Sequence, residues 1–326
     1  MTLQLSAAWG ASEVGETTIA KWQDDKKAVF LLVFDDGWPS HWQIALPAMT
    51  ERGLMGTFYV CPGKGEFVKF KDKWAKDVVA EGMVLGDHTM THQGVRDFAD
   101  ADAEIGGASK VILEMTTEKK PTLVFFGMPG VPPGRWNIPS DQYKELLNKY
   151  RLIDRPTFAG HGAVYHLQKA DQMLALADRA IAQGEMGYVV FHGLERRGIN
   201  WGYEDMWPLN YDIFITVLDG LKTRQENGDL WVIDHISWHR YKAQRENAKV
   251  KVRHANTKEI SIELNCSIDQ ELYDLPLTLI TPLPPDWKSA SVTQNDKPAK
   301  TVRMEQGNIS YKAVPNSGPI MITRKD

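Results

Sequence analysis

The chain has 326 residues, enough for one large domain and a small one, with 43% hydrophobic and 25% charged residues, as in ordinary globular proteins. Lys plus Arg total 38 against 42 Asp plus Glu, a formal charge of -4, which leaves no field or basic block to hold nucleic acid or an anionic membrane. Cys61 and Cys266 lie far apart and do not form a disulfide framework pattern, and no run reaches the roughly 18 apolar residues of a membrane span.

In chain order, Met1 to Gly10 has neither the basic start nor the apolar core of a signal peptide, and residues 1–23 read as an N-terminal extension. Residues 28–34, Ala-Val-Phe-Leu-Leu-Val-Phe, are apolar without alternation, the pattern of a strand buried on both faces of a parallel sheet. A helix is expected from about Ser40 to Arg52, stopped by Gly53 and kinked or split by Pro47. The alternation then repeats. Strands are expected at Gly56 to Val60, Met83 to Gly86, Thr122 to Phe126, Arg151 to Ile153, Gly187 to Phe191 and Asp229 to Ile233. Helices are expected at Asp72 to Glu81, Arg96 to Thr117 (weakened by Gly106-Gly107), Ser140 to Tyr150, Lys169 to Gln183 and Tyr211 to Arg224. About seven strand–helix alternations imply right-handed crossovers and a barrel or doubly wound sheet.

Past about Ala248 the texture changes. Val250, Val252, Ile260, Ile262 and Leu264 alternate with period two, and Pro- and Gly-bearing turns punctuate short strands to the end. Residues 249–326 therefore read as a small antiparallel, sandwich-like β-domain joined through the polar 240s.

Three strand ends carry chemistry: Phe34-Asp35-Asp36-Gly37, His88-Thr89-Met90-Thr91-His92 and Val190-Phe191-His192. Adjacent acids closing a buried strand are costly unless a cation neutralises them, although a following helix N-terminus also favours carboxylates. Histidines four apart can reach one cation from a helical turn or a tight loop, a spacing that ordinary surface or core pairs share. Together the groups supply an oxygen ligand, two nitrogen ligands, a spare carboxylate and a spare imidazole, enough for metal-assisted hydrolysis. Among 11 tryptophans, Trp38, Trp136, Trp201 and Trp207 lie in Gly/Pro-rich or polar stretches, and flat aromatic faces at a pocket rim suit sugar rings.

In order and placement these motifs resemble those of the polysaccharide deacetylase family (carbohydrate esterase family 4, the NodB homology domain), over roughly residues 24–245. The resemblance implies an α/β fold, a distorted (β/α)7 barrel, followed here by the small all-β domain. It implies that Asp36, His88 and His92 bind a divalent metal, Zn2+ ahead of Co2+, Mn2+ or Ni2+. Asp35 would be the general base and His192 the general acid. Trp38, Pro129, Trp136 and Trp201 would contact substrate, and a backbone N–H after Phe126 would stabilise the oxyanion. The family's Arg-x-Pro-x-Gly motif falls at Phe126-Gly127-Met128-Pro129-Gly130 without its arginine, for which Arg135 or Arg155 could substitute. Its Asp/Trp motif has no match between Arg151 and Gln183, where His161 and His166 stand.

The expected activity is removal of acetyl groups from a polysaccharide or oligosaccharide, N-acetyl ahead of O-acetyl. The alternatives are an amidohydrolase acting on a small amide or cyclic imide, and a carbohydrate-binding barrel without catalysis. The expected partner is an acetylated glycan, with no nucleic acid and no membrane insertion. Such a substrate favours a secreted or periplasmic setting, with a cytoplasmic one left open. Oligomeric state, sugar identity and acetyl position are not legible.

Overall fold

The computed structural model describes residues 14–116, 122–156, 162–163 (backbone) and 167–325. It separates into two compact units, Lys26–Arg240 and a second one that joins the first 25 residues to Tyr241–Asp326.

The larger unit is built on a parallel sheet of eight strands. Its order is Leu152–Asp154, Val124–Phe126, Val84–Asp87, Gly56–Val60, Ala28–Phe34, Met186–Phe191 and Gly162–Ala163, with Leu230–Val232 also pairing with Ala28–Phe34. Every pairing is parallel. Helices that include Phe98–Met115, Ser140–Tyr150, Ala170–Gln183 and Tyr211–Glu226 make the connections. This is the curled sheet of a distorted (β/α)7 barrel. All seven residues of Ala28–Phe34 are buried, which explains why that strand shows no alternation.

The elements depart from expectation where local chemistry intervenes. The helix expected at Ser40 to Arg52 is split into a π-helical turn, His41–Ala45, and an α-helix, Leu46–Thr50. Pro47 sits in the first turn of that second helix, where its missing N–H does no harm. The helix expected at Asp72 to Glu81 is a short turn, Lys71–Lys73, running into a π-helical turn, Trp74–Val78, that buries Trp74 and Val78. Gly106-Gly107 does not interrupt Phe98–Met115. A β-carbon on Gly106 would lie 2.2 Å from Tyr150 Cζ, so this glycine admits the tyrosine ring.

The second unit holds two antiparallel sheets. One contains Ala248–Ala255, Glu259–Cys266, Ile320–Arg324, Ala290–Gln294 and Lys297–Pro298; the other contains Thr18–Ile19, Leu277–Pro282, Asn308–Ala313 and Lys300–Glu305. Alternate residues point inward: Ile260, Ile262 and Leu264 on the first, Leu277, Leu279, Ile309 and Tyr311 on the second. Of the residues set apart as an N-terminal extension, Thr18 and Ile19 belong to this unit, pairing with Ile280 and Leu279.

Candidate metal centre

The C-terminal ends of the parallel strands carry the charged groups. Asp35 and Asp36 follow Ala28–Phe34 and are each 4% exposed. The Asp35 N–H donates to Phe191 O at 2.9 Å, extending the ladder by one step. Asp36 then turns into the left-handed region, φ 76°, which swings its carboxylate out of line with the strand.

His88 through His92 form a tight loop rather than a helix, with Thr89 and His92 at φ 66° and 61°. The loop is internally braced. The His92 N–H donates to Thr89 Oγ1 at 3.1 Å, and Glu104 accepts from both the N–H and the hydroxyl of Thr91 at 2.8 Å. His88 Nδ1 bonds Gly127 O at 2.6 Å, which fixes the ring and leaves Nε2 for the centre. Below it, Asp87 accepts from the Thr89 N–H and the Ser109 hydroxyl. Burial nevertheless lifts the Asp87 carboxyl to about 7.

Ligand atoms of Asp36, His88 and His92 all lie within 4.8 Å of one another. Asp36 Oδ1 is 3.2 Å from His92 Nε2 and 3.6 Å from His88 Nε2, yet it is buried without a well-formed hydrogen bond. A buried carboxylate oxygen left in this state is costly, and a cation held between these three groups would relieve it. Burial pulls His88 down to about 4, opposed by Asp35 and Asp36, so the ring is neutral and able to ligate. Burial by itself raises Asp36, but His92, His88 and Lys64 outweigh it and hold the carboxyl ionised. The donor set fits a divalent metal.

Asp35 points to a different partner. Arg155, just past Leu152–Asp154, donates from Nη1 to Asp35 Oδ1 at 2.6 Å, and both side chains are nearly buried. The Arg155 guanidinium also lies over the Tyr59 ring, 4.6 Å from its centroid. A β-carbon on Gly127 would come within 2.9 Å of Tyr59 and 3.0 Å of Arg155, so only glycine fits between them. Burial would raise Asp35, yet Arg155, helped by His88 and His192, holds it below the usual carboxylate range. Arg135 is exposed and does not take this place.

His192 follows Met186–Phe191 and is 9% exposed; burial lowers its pKa. The fully buried His41 reaches its backbone from the π-helical turn, His41 Nε2 to His192 O at 2.6 Å. Next to it the Leu194 N–H donates to Ser40 Oγ and the Ser40 N–H to Asp205, which also binds Arg196 at 2.6 Å. None of Ser40, His41, Arg196 and Asp205 was anticipated. Apart from the Arg196–Asp205 contact, nine residues apart, their pairings span more than 150 residues of chain, and no local pattern marks them.

Asp35, Asp36, His88, His92, Arg155 and His192 share a cleft of about 560 Å3, with Trp38, Lys64, Met128, Gly130, Met206 and Trp207 completing its lining. Of the expected substrate contacts, Trp38 lines it, its Nε1–H donating to Asp36 Oδ2 at 3.2 Å. Pro129, Trp136 and Trp201 do not line it. Trp136 packs on Phe126 and Tyr143, and Trp201 on Trp42 and Phe70. The Gly127 N–H, a candidate oxyanion donor, is occupied by Asp87 O at 2.8 Å. His161 and His166 lie outside the described residues.

The sequence model of the polysaccharide deacetylase family matches residues 23–143. A gellan lyase from a Bacillus species is 22% identical over 338 residues, covering 94% of this chain and 13% of that protein; the chain therefore corresponds to a small part of that relative. Among solved structures, the peptidoglycan deacetylase PdaC from Bacillus subtilis is 16% identical with a TM-score of 0.44, over 67% of this chain and 93% of the other. A family 4 carbohydrate esterase from Streptomyces lividans, in complex with acetate, is 19% identical with a TM-score of 0.41, over 62% of this chain and 90% of the other. A family 4 pseudoenzyme, BA3943 from Bacillus anthracis, is 17% identical with a TM-score of 0.43, over 65% of each chain. The matched segment contains both the Asp35-Asp36 strand end and the His88–His92 loop, and over those residues the chain is similar to the polysaccharide deacetylase family.

Proposed function

We propose that this chain is a metal-dependent deacetylase that hydrolyses acetyl groups on a glycan, N-acetyl amides ahead of O-acetyl esters. Residues 24–245 would form the catalytic part and 249–326 an accessory β-domain. The observation that carries the reading is the convergence of Asp36, His88 and His92, with Asp36 Oδ1 buried and poorly satisfied, beside a second carboxylate and a third histidine.

A divalent ion, zinc first, held by Asp36, His88 and His92 would polarise the acetyl carbonyl and make water a stronger acid. Asp35, kept ionised by Arg155, takes the proton of the attacking water. His192, across the same cleft, delivers a proton to the departing nitrogen or oxygen as the carbon–heteroatom bond breaks. The products are acetate and the free amine or hydroxyl, with no acyl-enzyme. Trp38, hydrogen-bonded to Asp36, offers a flat wall against which a sugar ring can rest.

The reading is tested by acetate release from N- and O-acetylated glycans, using metal-stripped protein with and without zinc. Zinc-dependent acetate that disappears in both Asp35→Asn and His192→Ala is the expected result. Stoichiometric zinc binding with turnover only of small amides or cyclic imides would replace the glycan reading, and failure to bind any divalent metal would overturn the site.

A further inference from the structure

Lys64 stands at the edge of the cleft. Its ammonium lies over the Trp38 ring, 5.2 Å from the centroid, and Trp38 in turn bonds Asp36. The lysine is held at its base. The Lys64 N–H donates to Cys61 O at 3.0 Å, and the neighbouring Gly63 N–H donates to Met90 O, inside the histidine loop, at 2.8 Å. Among the described residues no carboxylate is within ion-pairing distance of the Lys64 ammonium, and the side chain is half-buried.

The charge balance of the cleft gives that ammonium a direction. Asp35 and Asp36 are the only carboxylates among its described lining residues, and Arg155 and Lys64 the only permanent cations. Leaving the histidines aside, these four cancel, so a divalent ion held at the centre would leave the cleft net positive. A neutral glycan would leave this field unanswered, whereas a carboxylate on the sugar would meet it. A half-buried lysine anchored on an indole also loses less freedom on pairing than a fully exposed one.

We infer that Lys64, stacked on Trp38, forms a subsite for a carboxylate of the substrate, so that the glycan is acidic, with a uronic acid or similar acid-bearing sugar at or beside the acetylated residue. This rests on the deacetylase reading for its catalytic arm, but the subsite is read separately through binding.

The experiment uses one acetylated uronic-acid oligosaccharide and the same material with its carboxyl groups reduced to alcohols. Wild-type protein should show a kcat/KM ratio favouring the acidic form by about three- to tenfold at low salt, the range of a partly shielded ion pair. Raising ionic strength should shrink the ratio. Lys64→Met should bring it close to one, and Lys64→Arg should keep most of it. Equilibrium binding of the deacetylated pair, followed by tryptophan fluorescence, should show the same preference in wild type and lose it in Lys64→Met. A binding preference without acetate release would count against hydrolysis while supporting the subsite. Equal kcat/KM for the two glycans in wild type, or a ratio unmoved by Lys64→Met, would overturn it.

Discussion

The site has two halves, built in different ways. The half that would bind metal is the more local: His88 and His92 belong to one five-residue loop, braced by Thr89 and Glu104, and only Asp36 comes from another strand end. The half that would move protons is assembled from distant chain. Arg155 meets Asp35 across 120 residues, and His41 meets the backbone of His192 across 151. A local loop can be positioned by its own turns, whereas the distant pairs depend on the barrel being closed around them. Damage to the first half should therefore remove the metal and leave the fold, and damage to the second should leave the metal and disturb catalysis or stability.

The largest effect is expected from His88→Ala. Bound metal, measured by elemental analysis, should fall with acetate release to background, because one of the three candidate ligands and its Gly127 anchor are lost together. Circular dichroism should remain native. Retained stoichiometric metal would erase the distinction between the halves.

Asp35→Asn and His192→Ala should each lower kcat by about 10²–10⁴, the usual worth of a positioned acid or base, with metal content unchanged. Loss of metal in either variant would show that the halves are not separable.

Arg155→Met leaves a buried carboxylate without its cation, a defect worth about 3–5 kcal/mol of stability when a buried pair is broken. The melting temperature should drop and kcat should fall, with Arg155→Lys restoring part of both. If Arg155→Met melts like wild type, the Asp35–Arg155 contact is not a buried pair in solution.

His41→Leu is the mildest. It removes one donor from His192 O, an unsatisfied carbonyl costing about 1–3 kcal/mol. The expected signature is a lower kcat at unchanged KM, together with a shifted His192 ring signal in NMR. A purely structural role would move the melting temperature and leave that signal in place.

The same contrast explains what could be read from the sequence. The buried strand Ala28–Phe34, most barrel helices and the histidine loop follow from patterns within a few residues. Asp35, Asp36, His88, His92 and His192 do share one cleft, as their strand-end positions suggested; their chemical roles await the experiments above. Arg135 and Arg155 both fit the missing arginine by sequence, and the three-residue strand Leu152–Asp154 that precedes Arg155 has too little pattern to show which one arrives. His41 looks like any polar residue on a helix, since nothing in its neighbours announces a π-helical turn. The tryptophans misled for a physical reason. Gly- and Pro-rich surroundings marked Trp136 and Trp201 as loop residues, but in the fold each is clasped by other aromatic rings away from the cleft. Trp207, half exposed beside His192, lines the cleft instead.

The bond from the Gly63 N–H to Met90 O ties the loop carrying Lys64 to the loop carrying both histidines. An occupant that steadies one loop thereby steadies the other, and such linkage is reciprocal by thermodynamic necessity. An ion held by Asp36, His88 and His92 should then leave more slowly in the presence of an acidic oligosaccharide, and the oligosaccharide should be held more weakly after chelation. Cofactor retention would thus follow the supply of substrate, without any change in the ligands themselves.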